Sequence, residues 1–436
     1  MFSDIIKRGI VEMVKHMVKY ILTFLGVVFL LTFMLVISAK IPQTAIKENV
    51  RESAEYLCQG ELFGEVVERV TGSKIDRYAD SILLGIAYQY DSRKPLASVM
   101  ESAYYHSDMN NENENLLTAV REDCEANQQY LRYWHGSNAF VRPLLVIFHI
   151  KQIYVLNGIL LAAFILGLLV ILIRKEAYVP AVGVVTGLIM TSVWYVPLSL
   201  EYTWTYLIML VMSMIGVGII YHKRYRVVGV FFLISGMITG FMDFLTTETL
   251  TLTVPLLIML WVEEKQQGQE DMKNIFRKAG KAVVVWGFGY IGMWMMKWLL
   301  ASIVLSENVM PYVSEHIEER IGGNIGIGPI GYISGSIWNN MKCLFPFEYG
   351  IIGALTGLAL VLFVIYTGYV YHGNHIDKKR ILLYVLIGLI PYIRYVVLHN
   401  HSYLHHFFTY RAQLATILAV VLILEQLIKE VFQKKK

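Results

Sequence analysis

YILTFLGVVFLLTFMLVIS, residues 20–38, carries no charged side chain and is long enough to cross the hydrocarbon core of a bilayer as one helix. Lys7, Arg8, Lys15 and Lys19 precede it, and a basic flank of this kind stays on the cytoplasmic side. The run ends against Lys40 where a signal peptide would need a small-residue cleavage site, so the segment is expected to be an uncleaved anchor with its N-terminus inside.

Outward from this anchor, similar apolar runs recur at residues 155–173, 178–198, 203–220, 227–242, 249–262, 282–304, 350–370, 381–398 and 412–428. Basic residues sit at every second junction: Arg174 and Lys175, then Lys223, Arg224 and Arg226, then the stretch 265–281, then Lys378, Lys379 and Arg380, and finally Lys434, Lys435 and Lys436. That alternation predicts an all-α, polytopic bundle of about ten spans with both termini cytoplasmic. With 56% hydrophobic and 17% charged residues, the composition excludes an ordinary soluble domain. The net charge of +4 comes from the inner loops and sets topology rather than an affinity for nucleic acid.

The resulting organisation has an N-terminal segment with the first span (1–39), a large outer loop (40–152), spans two to seven (153–305), a second outer loop (306–349), and spans eight to ten with a cytoplasmic tail (350–436). The inner connector 263–281 is mixed in charge and carries no nucleotide signature. No Walker sequence occurs anywhere, and the glycine-rich stretch 322–335 lacks a phosphate-binding lysine, so it is expected to be a flexible outer loop over the membrane surface. Cys58, Cys124 and Cys343 all fall outside; a Cys58–Cys124 disulfide is one reading, and free, partly buried thiols are the favoured one.

Chemistry concentrates on the outer side. Ile75, Tyr78, Ala79, Ile82, Leu83, Ile86 and Ala87 form a helical apolar stripe, and Asp76 and Asp80 stand one turn apart on the same segment. Two neighbouring carboxylates resist joint ionisation, which suits a general base; two solvated acids on a surface helix are the plainer alternative. The same loop returns through Arg132, Tyr133, Trp134, His135 and Gly136 and then Arg142, a basic and aromatic group fit to hold a phosphate at headgroup depth. Residues 108–114, rich in Asn and acids, read as an exposed turn without a role.

At membrane depth, Asp243 closes the fifth span and Lys297 lies in the outer half of the seventh. Charges there are costly unless paired, so the two are expected to pair across the bundle, or Lys297 to snorkel outward. The last outer turn carries Arg394, His401, His405 and Arg411. His401 and His405 have the spacing of a zinc pair but lack its glutamate, and an anion site with Arg411 is preferred.

An inner N-terminus, one span, a large acidic outer loop, about ten spans and Arg/His groups on the outer turns together resemble the GT-C class of integral-membrane glycosyltransferases. The resemblance implies transfer of a sugar from a polyprenyl-phosphate donor to a glycan, lipid or protein acceptor at the outer face of a bacterial plasma membrane, with no nucleic-acid partner. It implies Asp76 or Asp80 as the catalytic base and Arg142, Lys297, His401, His405 and Arg411 on the phosphate side; Arg132, His135 and Asp243 join the substrate-side candidates by their own placement. Several GT-C families carry an adjacent acidic pair; here the two aspartates are a turn apart, so no metal ligand is assigned and a divalent cation stays an open cofactor. The alternative is a transporter or flippase of a lipid-linked or anionic substrate built on Asp243 and Lys297.

Overall fold

The computed structural model describes residues 2–268, 271–321, 328–370 and 377–433. The terminal Lys434, Lys435 and Lys436 and residues 322–327 of the glycine-rich stretch lie outside the described residues. The described chain is helical, with two isolated β-bridges and no strand. Among the described residues, eight helices are long and apolar enough to cross a membrane, from Met17–Ala39 to His406–Ile428, which marks a multi-pass membrane protein.

Two further apolar runs are also helical. Residues 249–262 form, from Leu250 on, the first part of the helix Leu250–Gln267, and residues 178–198 begin as the helix Tyr178–Met190. The second does not continue unbroken: Ser192 takes a left-handed φ of 52° and a 3₁₀ turn, Val193–Leu198, holds Pro197. Thr191, bonding back to the Gly187 carbonyl at 2.8 Å, closes the helix just before the break.

Small residues let the bundle close. The helices Val228–Met242 and Met272–Leu305 approach so tightly that a Cβ on Gly236 or Gly289 would strike the facing backbone. Leu200–Tyr221 packs against Leu250–Gln267, and Tyr178–Met190 and Lys378–Gly388 pack on Leu414–Gln433. One continuous apolar core runs through these contacts.

The long segment between the first two spans is a helical cap. It contains Gln43–Leu57, Arg77–Gln89, Pro95–Glu101, Glu112–Arg121 and Asn138–Leu144, with its own smaller core around Ile46, Val50, Leu84 and Ile150. Residues 108–114 are not a roleless turn. Asn111 and Glu114 form a capping box on Glu112–Arg121. Buried Asn113 accepts from Ser81 at 2.7 Å and donates to the Leu57 carbonyl at 3.0 Å, joining three cap helices. All three cysteines are free thiols.

Candidate functional site

The cap meets the bundle over a small pocket lined by acids, histidines and aromatic rings. Its acidic wall comes from two helix N-termini. Asp76 caps Arg77–Gln89, its Oδ1 accepting from the Ala79 N–H at 2.8 Å, while Glu201 lies in the first turn of Leu200–Tyr221. The carboxyls of Asp76 and Glu201 are close enough to share a hydrogen bond, and burial pushes the Asp76 carboxyl up to about 6.

Asp80 lines the same pocket but is engaged differently. Its Oδ1 accepts from the Leu200 N–H at 2.9 Å and the Ser199 hydroxyl at 3.1 Å, and its Oδ2 accepts from the Tyr154 phenol. Asp80 therefore satisfies the first turn of Leu200–Tyr221, the helix that presents Glu201. Burial pushes its carboxyl up to about 8 against these donors. Both Asp80 oxygens are held by protein donors, whereas Asp76 has its Oδ1 on the helix cap and its carboxyl against Glu201, an acid pair that can exchange a proton.

Opposite the acids stand His135, His401 and His405, with Tyr130, Tyr133 and Phe408 among the aromatic walls. His401 and His405 lie 4.7 Å apart ring to ring, and His405 stacks on Phe408 at 5.3 Å. Arg394 approaches His401 Nδ1 at 3.4 Å, yet its charge is matched by buried Glu248 at 2.9 Å.

The segment carrying Arg132, Tyr133 and His135 is clamped to the bundle. Trp134 Nε1 donates to the Met293 carbonyl at 2.7 Å, Trp298 Nε1 to that of Arg132 at 3.2 Å, and the Gly136 N–H to that of Phe241 at 3.1 Å. Gly136 is required there, because a Cβ would meet the Phe241 ring and carbonyl. Arg132 lies over the rings of Tyr130 and Tyr133 and donates to the Tyr130 hydroxyl at 2.6 Å, leaving its buried Nε unpartnered.

Arg132 and Tyr133 also line a second cavity, an apolar groove of about 1500 Å³. Trp286, Tyr290, Trp294 and Trp298 form one wall at four-residue spacing along a single helix, and Ile390, Ile393 and Val397 face them. Tyr133 thus belongs to both the acidic pocket and the groove.

Other predicted site residues are held elsewhere. Lys297 neither pairs with Asp243 nor snorkels: fully buried, it donates to the carbonyls of Val99 at 2.8 Å and Met100 at 2.9 Å, closing the C-terminus of Pro95–Glu101. Asp243 accepts from the Leu245 and Thr246 N–H groups at 2.8 and 3.0 Å and shapes the turn before Leu250. Arg142 donates to the Ile41 and Tyr90 carbonyls at 2.5 and 3.2 Å, and burial pulls its guanidinium down to about 10. Arg411 reaches the Gly72 carbonyl at 3.2 Å and tethers the loop before Asp76. None of these four lines the acidic pocket.

Glu201 is the principal residue that sequence reading missed. The signal was present as a carboxylate opening an apolar span, and a charge at that depth is a functional candidate. Among the described residues no three His, Cys, Asp or Glu side chains are grouped to hold a metal ion. With Asp80 spent on protein donors, the acids do not make a three-donor cation site, and no step below runs through one. No family model, curated protein or solved structure matches the chain.

Proposed function

We propose that this protein is a glycosyltransferase of the GT-C kind, moving a sugar from a polyprenyl-phosphate donor to a cell-envelope acceptor at the outer face of a bacterial plasma membrane. One observation carries the reading: a buried carboxyl pair, Asp76 and Glu201, lies in a pocket that shares Tyr133 with an aromatic, apolar groove. An amphiphile with a polar head and a long apolar chain fits both cavities at once.

In this reading ten spans hold both termini in the cytoplasm, and the polyprenyl chain lies along Trp286, Tyr290, Trp294 and Trp298. Asp76 removes the proton from an acceptor hydroxyl as its oxygen attacks the anomeric carbon. The bond from that carbon to the phosphate oxygen breaks, and polyprenyl phosphate leaves with the electron pair. Arg132, which lines the groove beside the shared Tyr133 and has an unpartnered Nε, meets the charge that develops on the phosphate. Asp80 positions Leu200–Tyr221 and takes no proton from the acceptor.

The test is transfer of labelled sugar from a panel of polyprenyl-phosphate sugars by purified protein. Turnover that vanishes in Asp76→Asn and survives in Asp80→Asn supports the assignment. Absence of turnover with every donor, together with saturable movement of a lipid-linked substrate across proteoliposomes, replaces it with transport.

A further inference from the structure

His135 is buried with its ring nitrogens poorly satisfied by the protein. It is 2% exposed, and neither ring nitrogen has a well-formed hydrogen bond, although the Tyr130 backbone lies close by. A buried polar group is ordinarily satisfied. Its backbone takes φ 52°, in the left-handed region that a residue with a Cβ enters at a penalty. The neighbours on either side enforce that conformation, Trp134 through the Met293 carbonyl and Gly136 through that of Phe241. The fold thus holds an unsatisfied imidazole at the wall of the acidic pocket, and a bound ligand is what would satisfy it.

Charge and shape narrow that ligand. Burial, reinforced by the Lys297 and Arg132 charges, holds the His135 imidazole well below its usual range, so it carries one donor and one acceptor and no charge at neutral pH. A phosphate offers acceptors alone and gains little from such a group. A hydroxyl offers both a donor and an acceptor. The ring also sits among aromatic faces, 4.8 Å from Tyr130 and 5.2 Å from Phe244, which suit the apolar face of a sugar ring.

Resting on the glycosyltransferase reading, we propose that His135 is a specificity residue that hydrogen-bonds a hydroxyl of the donor sugar, seated between Tyr130 and Phe244. It reads the sugar and leaves the lipid phosphate to Arg132. This departs from the sequence expectation, which grouped His135 with the phosphate ligands.

The experiment is equilibrium binding to the full chain in nanodiscs, comparing decaprenyl-phosphate sugars with bare decaprenyl phosphate. Wild type is expected to prefer one sugar-bearing lipid. His135→Phe is expected to weaken that lipid by about 10- to 100-fold, as for a lost buried hydrogen bond, and to leave the bare lipid unchanged. His135→Gln, which keeps a donor and an acceptor, is expected to retain most of the preference, and it decides the matter if the Phe variant does not fold. Equal weakening of both lipids, or no change in either, overturns the role of His135 while the glycosyltransferase reading stands. Absence of preference for any sugar-bearing lipid in wild type overturns both.

Discussion

Asp76 and Asp80 share a helical turn and a pocket, yet their hydrogen bonds divide the work. Asp76 has one oxygen on its cap and a carboxyl raised to about 6 by burial. A base must be ionised to accept a proton, so kcat/KM should hold above pH 6 and fall about tenfold per unit below it, read from initial rates across pH. Asp80→Asn can still accept from Leu200 and Ser199 and should keep substantial activity. Asp80→Ala orphans those donors and should cost about 2–4 kcal/mol in unfolding experiments. The pair was legible in sequence because the apolar stripe put both on one helix. Their different roles were not, because Leu200 and Tyr154 are more than seventy residues away along the chain.

Among the elements, apolar length identified nearly every long helix, since lipid forces each span to satisfy its own backbone. Polar residues that serve a partner element were harder to place. Lys297 reads as a substrate cation in sequence but closes Pro95–Glu101 in space. Lys297→Ala should therefore lower stability by about 2–4 kcal/mol through the orphaned carbonyls, with thermal unfolding in detergent as the check. A loss of activity at unchanged stability would restore its substrate role. The described part of the glycine-rich stretch is helix rather than flexible loop, for a related reason. Its described end is the helix Pro329–Lys342, whose polarity is inverted: Ser336 and Asn340 turn inward to the Tyr395 and Ser402 carbonyls, while Ile330 and Trp338 are 83% and 66% exposed. An apolar outer face over a polar inner one suits lipid rather than water. A nitroxide at Trp338→Cys, with the three native cysteines replaced, should be relaxed more by oxygen than by an aqueous nickel chelate. The reverse order would put this helix in solvent.

At the scale of the whole molecule, the acidic pocket lies where the cap meets the bundle, and the apolar groove runs between helices on opposite sides of the segment 306–349 in sequence. Neither cavity is visible to a linear reading, because their walls come from residues as distant as Asp76 and His405, or Arg132 and Val397. Their shared wall at Tyr133 means that blocking the groove should impair delivery of a lipid-linked donor without touching the acids. Ile393 and Val397 line the groove and are more than half exposed, so a larger side chain there can fill it without disturbing the core. Ile393→Trp should raise KM for a long-chain polyprenyl donor by about tenfold, as expected for about 1.4 kcal/mol of lost apolar contact. The effect should shrink with a short, water-soluble prenyl donor, and kcat should change little, because Asp76 and its helix remain as they were. Equal loss with long and short donors would mean that the chain does not lie in this groove, and that the two cavities serve different ligands.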